Sequence, residues 1–276
     1  MAAFVLICAY LGAMVATDAE EDRLLPHERH ARILDQARSR SRVEVSALAD
    51  ELDVTSETIR RDLTVLERRG LLRRVHGGAV HIERLGYEPS VVARREQRAA
   101  EKLRIGRAAR DFLPDGGAIL IDAGTTTMEL VRQLPSDLAL TVVTNSLQAA
   151  AYLAELPRVE LLMLGGRLRD VTGAAVGTWT RNALTDLRVD VAFMGTNGIT
   201  PDVGLTTPDQ SEAEVKAAMV AAAARVVCLV DHSKVGLVQL CRFATLDMVD
   251  VVVTDSGLEQ DLAAELAAAG PEVVRA

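Results

Sequence analysis

The sequence predicts an α/β chain in two parts, a small winged helix-turn-helix ahead of a larger domain built on a mostly parallel sheet. Three observations carry this. The charge is split: residues 27–104 hold 17 Lys and Arg against 13 Asp and Glu (net +4), whereas residues 105–276 hold 13 against 22 (net −9). Apolar residues up to Gly70 recur in short blocks at helical spacing. Beyond residue 117 they gather into short runs that alternate with helical patterns, which implies a sheet covered on both faces.

Of the 276 residues 49% are hydrophobic and 25% charged, with a formal net charge of −8. That composition excludes disorder and coiled coil. Aromatics are only 3%, so the core is aliphatic. Cys8, Cys228 and Cys241 form no CxxC, which argues against a disulfide framework or structural zinc and makes a reducing cytoplasm the expected compartment. His27, His30, His76, His81 and His232 show no ligand cluster, so neither metal nor cofactor is expected.

Met1 to Ala16 are apolar without a basic residue, unlike a secretory signal, and too short to span a bilayer. Residues 1–26 therefore read as a dispensable extension, with a signal or anchor and a partner-binding tail as the alternatives, and no membrane role is expected. Ile33 and Leu34 then sit on a helix that opens after Pro26. Ser46 is expected to cap a second helix, with Leu48 and Leu52 on one face, and Asp53-Val54 to form a tight turn. Thr55 can N-cap a third, where Ile59, Leu63 and Leu66 point inward and Gly70 ends it.

The outward face of that third helix carries Ser56, Glu57, Thr58, Arg60 and Arg61, with Thr55 at its cap, at the end that enters a major groove in such motifs. Arg grips guanine bidentately, and Ser and Thr serve phosphates or base edges. Beyond Gly70 the run to Val80 alternates like a strand, turns at Gly77-Gly78, and is placed to pair with Val43-Glu44-Val45 as a wing. Arg73, Arg74 and His76 would then meet phosphate or minor groove. Double-stranded DNA is the expected partner.

The stretch Val54-Thr55-Ser56-Glu57-Thr58-Ile59-Arg60-Arg61-Asp62-Leu63, followed by Arg74-Val75-His76-Gly77-Gly78-Ala79, closely resembles the winged helix of DeoR-family bacterial transcriptional regulators. The resemblance implies a repressor of a carbohydrate catabolic operon. Thr55 stands where the family usually has Ser and keeps the hydroxyl.

Residues 27–80 are thus read as the DNA-binding domain, 81–104 as a linker, and 105–276 as an effector-binding domain. The apolar runs begin near 118, 140, 159, 191, 226 and 249. Ligands of open α/β sheets bind beyond the carboxyl ends of the strands, and the ends here are small and polar. Gly124 lets a backbone approach, while Thr125, Thr126 and Thr127 offer hydroxyls and N–H groups, a natural phosphate cradle. Asp122 would repel phosphate, and so is expected to hold the loop or accept from a sugar hydroxyl. Thr144 and Asn145, then Gly165 and Gly166, close the next two ends. An anion in an acidic module needs cations, for which Lys234, Lys216 and Arg167 are the candidates; Lys216 also reads as a surface ion pair with Glu212.

These elements resemble the DeoR-family sensor domain, which shares the fold of ribose-5-phosphate isomerase-type proteins. The match covers Asp122 to Thr126, Thr144-Asn145-Ser146, Gly165-Gly166, Asn197-Gly198, Glu212 to Lys216 and Asp231 to Gly236, with Ala123, His232 and Val235 as departures. It implies a phosphorylated sugar or related effector, and paired half-sites imply a homodimer or homotetramer. The competing reading is a sugar-phosphate isomerase with an appended DNA-binding module.

Overall fold

The computed structural model describes residues 24–40, 42–68, 71–75, 77–81, 88, 91–135, 137 and 139–276. The expected extension as far as residue 23, the helix stop at Gly70, His76 and the linker at 82–87 lie outside them. The chain divides into two compact units, Met1–Arg84 and Leu85–Ala276.

The first unit runs α1 (Pro26–Arg40), β1 (Arg42–Glu44), α2 (Val45–Glu51), α3 (Ser56–Arg68), β2 (Leu72–Val75) and β3 (Gly78–His81). Ile59, Leu63 and Leu66 on α3 are fully buried against Ile33, Val43, Leu48 and Leu72. At about 1.5–3 kcal/mol for each large aliphatic side chain, that stripe fixes the helix in place. The Thr55 hydroxyl accepts from Thr58 N–H at 3.2 Å, as a cap should. Asp53 takes the left-handed turn with φ 49°.

Ser46 does not cap α2. The cap falls two residues earlier, on Glu44, which makes no side-chain bond there, and the N–H of Val45 donates to Gly77 O at 3.0 Å. The wing turn thus satisfies a helix end. The three strands form an antiparallel sheet in the order β1-β3-β2, with Val43 opposite Ala79. A Cβ at Gly78 would lie 2.0 Å from Val43 O, so this close pairing needs glycine.

In the second unit, α4 (Val91–Glu96) and the first six residues of α5 (Ala99–Ala108) fall inside the interval 81–104 expected to be linker. Val91 N–H donates to Val171 O, Lys102 and Ile105 are buried, and Ile105 packs on the sheet, so residues from 91 onward belong to this fold. The reading as linker rested on a run of charges, but Lys102 is held inside. β4 (Ala118–Ile121), α6 (Thr125–Val131), β5 (Leu140–Thr144), α7 (Leu147–Leu153) and β6 (Val159–Met163) follow. Next come β7 (Arg167–Leu168), β8 (Ala175–Val176), α8 (Thr178–Thr185), β9 (Val189–Gly195), β10 (Gly198–Thr200), β11 (Gly204–Thr207) and α9 (Gln210–Ala222). β12 (Ala223–Leu229), β13 (Cys241–Ala244), β14 (Val251–Thr254), α10 (Gln260–Ala268) and β15 (Glu272–Arg275) complete it.

Seven parallel strands stand in the order β15-β14-β12-β9-β4-β5-β6. Alternate residues face opposite layers: Leu120, Val143, Met194, Cys228 and Val252 pack beneath α9, while Ile119, Ile121, Val142, Phe193 and Val253 pack beneath α5 to α7. This two-sided burial is why the runs are apolar throughout. β6 departs from it, since Leu162 and Met163 are 43% and 44% exposed on the sheet edge. β15 and the antiparallel sheet β10-β11-β13 were not anticipated, because strands of three or four residues bounded by glycine or charge read as turns.

The strand order sets the site. From β4 the chain builds β5 and β6 to one side, then crosses back to place β9 on the other side of β4. The connections part at the carboxyl ends of β4 and β9, the crevice where α/β sheets take ligands.

Candidate functional site

Two regions gather the expected residues, one in each unit. In the first, Thr55, Arg60 and Arg61 are exposed and Ser56 and Thr58 half-exposed on the opening turns of α3. Arg60 and Arg61 reach Glu57 only at 3.7 and 3.5 Å with most of their surface in solvent, contacts weak enough to exchange for a nucleic acid. Thr55 and Thr58 share a 3.0 Å hydroxyl contact, so both hydroxyls are engaged at the cap. Arg74 leans back from β2 onto α3, its Nη1 donating to Thr64 Oγ1 at 3.1 Å. Arg73 lies in β2, with its side chain outside the described residues, as is His76. A contact that sequence reasoning missed aims α3: Arg29 on α1 donates from Nε and Nη2 to both oxygens of buried Asp62 at 2.5 and 3.2 Å, and His30 Nε2 lies 2.9 Å from Oδ1.

In the second unit, a cleft at the β4–β9 crossover is lined by Gly124, Thr125, Thr126, Thr127, Lys216 and Lys234, all expected, and by Arg94, Thr172, Thr196, Asn197 and Glu212. Its free room is about 20 Å³, space for about one water. Asp122 lies just behind. Its Oδ2 accepts from Gly195 N–H at 3.0 Å and from Lys216 Nζ, whose ammonium also reaches Gly195 O at 3.0 Å. Asp122 therefore holds the loops, the first of the two roles expected. Lys216 is buried at 4% exposure, which overturns the surface ion pair.

Burial sets the electrostatics. It pushes the Asp122 carboxyl up, against the pull of Lys216. Glu212 also meets burial, yet Lys216, the Thr172 hydroxyl at 2.6 Å and Arg169 at 2.8 Å hold it below the usual carboxylate range. Lys234, whose Nζ donates to Thr196 O at 3.0 Å, is pulled below an ordinary lysine by burial, with Asp231 opposing and Arg94 and Lys216 adding to the fall. Lys102 is lowered to about 8 by burial and then by Lys234. Cations crowd this cleft.

Several expected residues stand elsewhere. Thr144 donates to Ile121 O at 2.6 Å, and Asn145 Oδ1 accepts from Ala123 N–H at 3.0 Å, so both brace the β4 loop from behind. Gly165 and Gly166 pack on α8: Gly165 O accepts from Thr180 Oγ1 at 2.8 Å, and a Cβ at Gly166 would meet that oxygen at 2.1 Å. Thr127 lines the cleft, but its hydroxyl donates to Asp122 O at 2.7 Å and closes the loop. Arg167 sits on the surface beside Ser211. Thr196 and Asn197 belong to a strand end that the sequence marks as polar, whereas Arg94 lay hidden in a charged run and was missed. Among the described residues no group of three His, Cys, Asp or Glu is placed to hold a metal, and no helix is long and apolar enough to cross a membrane.

Residues 29–84 match the family described as the DeoR-like helix-turn-helix domain, and residues 97–256 the DeoR C terminal sensor domain. The HTH-type transcriptional regulator GlpR of Haloferax volcanii is 39% identical over 91% of this chain and 98% of its own. The glycerol-3-phosphate regulon repressor of Escherichia coli is 31% identical over 83% of this chain and 90% of its own. Among solved structures, ribose 5 phosphate isomerase A from Neisseria gonorrhoeae is 18% identical, covers 50% of this chain and 54% of its own, and has a TM-score of 0.37.

Proposed function

Because the chain belongs to the DeoR family of transcriptional regulators, we propose that it represses a carbohydrate catabolic operon and that a phosphorylated sugar or related intermediate controls it from the cleft. The observation that carries the effector class is the cleft's cation set. Arg94, Lys216 and Lys234 line it against the single carboxylate of Glu212, with the hydroxyls of Thr125, Thr126 and Thr172 between them, inside a module that is net acidic. Cations gathered in a crevice suit an anion, and the hydroxyls suit a polyol. A relative's name, the glycerol-3-phosphate regulon repressor, is consistent with this class of effector.

The exposed face of α3 supports the DNA-binding role: Arg60 and Arg61 project from the end that enters the major groove, and Asp62 on the opposite face ties the helix to α1. We take the working form to be a homodimer or homotetramer on paired half-sites, in the cytoplasm. We take the cleft to be a binding site and not a catalytic one. A proton-transferring carboxylate must be free to approach substrate, whereas Asp122 is closed off by Lys216 and Gly195 N–H, and Glu212 by Thr172 and Arg169.

The test is a thermal-shift screen against pentose and hexose phosphates and glycerol 3-phosphate, followed by operator titration with each compound that stabilises. A ligand at 100 times its dissociation constant stabilises by about 2.7 kcal/mol. Interconversion of any isomer pair by the purified protein would restore the enzyme reading.

A further inference from the structure

Lys216 and Lys234 reach the cleft from the body of the sheet domain, but Arg94 comes from α4, at the start of the second unit. Its guanidinium is divided. Nη1 lies 3.2 Å from Glu88 Oε1, while Nε and Nη2 are buried with no hydrogen-bond partner among the described residues. Nε and Nη2 share the edge of the guanidinium that presents two parallel N–H groups, the fork that fits two oxygens of a carboxylate or phosphate. Arg29 uses that same edge on Asp62 in the first unit. Leaving such donors buried and unpaired is costly, so an anionic acceptor is the group they are shaped for.

The backbone of Arg94 is pinned. Lys102 Nζ donates to Arg94 O and, at 2.6 Å, to Gln97 O, and Arg98 Nε lies 3.7 Å from Asp231. Ahead of α4 stands Glu88, its side chain only 3% exposed, which meets Arg94 and, at 3.2 Å, Asn197 Nδ2 of the cleft wall, and at 2.8 Å Arg169, whose Nη1 also holds Glu212 at 2.8 Å. Glu88 stands four positions beyond Arg84, where the first unit ends.

We propose that Arg94 binds the phosphate of the effector through Nε and Nη2, and that Glu88, which shares this guanidinium, passes occupancy of the cleft to the segment joining the two units. This rests on the sugar-phosphate reading above. An anion that draws Arg94 into the cleft weakens its hold on Glu88, and room for a ligand larger than one water must come from a wall of the cleft, of which Arg94 is part. The relay then acts on the chain leading to the DNA-binding unit.

The test measures binding of glycerol 3-phosphate, a set of pentose and hexose monophosphates and inorganic phosphate to the full chain by calorimetry. The tightest phosphorylated compound then serves as the probe in titrations of an operator selected from random duplexes. Arg94→Ala should weaken the probe tenfold to a hundredfold, and Arg94→Lys should recover only a small part of that, because an ammonium cannot form the fork. Glu88→Gln should still bind the probe, while the ratio of operator affinities without probe and at saturating probe falls towards one. Melting curves identify any variant that fails to fold, and Arg94→Gln then replaces Arg94→Ala. If Lys234→Ala loses the probe and Arg94→Ala binds it like wild type, the sugar-phosphate reading stands and the role of Arg94 is overturned. If Glu88→Gln keeps the full response, the relay is overturned. If the wild type binds none of the phosphorylated compounds, the sugar-phosphate reading fails and this proposal fails with it.

Discussion

Asp122 at the end of β4 and Lys216 in the middle of α9, 94 positions apart in sequence, form a buried ion pair beneath the cleft. Their side chains are 1% and 6% exposed. Gly195 closes the arrangement, donating to Asp122 through its N–H and accepting from Lys216 through its carbonyl. The pair locks the two strand ends on either side of the crossover and so sets the floor of the cleft.

Removing one partner leaves the other charge buried alone, which costs about 3–5 kcal/mol. Asp122→Ala and Lys216→Met should each lower the unfolding free energy of the second unit by that order in denaturant titrations, and the double variant should lose much less than the sum of the two. Additive losses would mean that the contact is not the interaction that matters.

The wing makes a backbone prediction. Gly78→Ala places a Cβ 2.0 Å from Val43 O and must push β3 away from β1. Because Gly77 O also holds the first N–H of α2, the first unit should lose more than 1 kcal/mol of stability, and operator affinity should fall with it. Chemical denaturation of the variant checks this. An unchanged midpoint would mean that the two strands separate freely.

On α3, Arg60→Ala should reduce discrimination between the operator and unrelated duplex by about 1–3 kcal/mol, whereas Arg74→Ala should weaken all sequences alike and reduce the salt slope by about one. Arg60 projects from the opening turns, while Arg74 lies on the wing beside Thr64. Gel shifts with specific and scrambled duplexes separate the two. Unchanged operator preference in the Arg60 variant would remove it as a base reader.

Lys102 predicts a pH dependence. Its folded-state pKa is lowered from 10.5 to about 8 by burial first, then by Lys234. Between pH 8 and 10.5 the unfolded chain therefore binds more protons at this position, and stability contributed by Lys102 rises with pH across that window. Below pH 8 the penalty of the buried charge is present in full. The difference in unfolding free energy between wild type and Lys102→Met should shift in favour of wild type from pH 8 to 10.5. A constant difference would show that Lys102 titrates as an ordinary lysine.

How far the sequence could be read follows from the range of each interaction. The Thr55 cap was legible because its partner is three residues away, and the strands because burial on two faces makes every position apolar. Thr144 and Asn145 were read as ligand groups because polar residues at a strand end look alike from sequence. Their partners, Ile121 O and Ala123 N–H, lie 23 and 22 positions away on the neighbouring loop. Arg94 and Lys102 were read as a solvated linker for the converse reason: nothing local shows that Glu88, Lys234 and Asp231 surround them.

The proposed control of DNA binding by an anionic effector in the cleft depends in part on Lys234. A charge-assisted hydrogen bond is worth about 1.5–3 kcal/mol, so Lys234→Ala should need on the order of ten to a hundred times more effector to change operator occupancy. The measurement is an operator titration of wild type and Lys234→Ala, each with increasing amounts of the sugar phosphate found by screening. Without effector both should bind operator with the same affinity, and the variant's response curve should be displaced to higher concentration. Coincident response curves, or a folded Lys234→Ala that no longer binds operator in the absence of effector, would contradict that proposal.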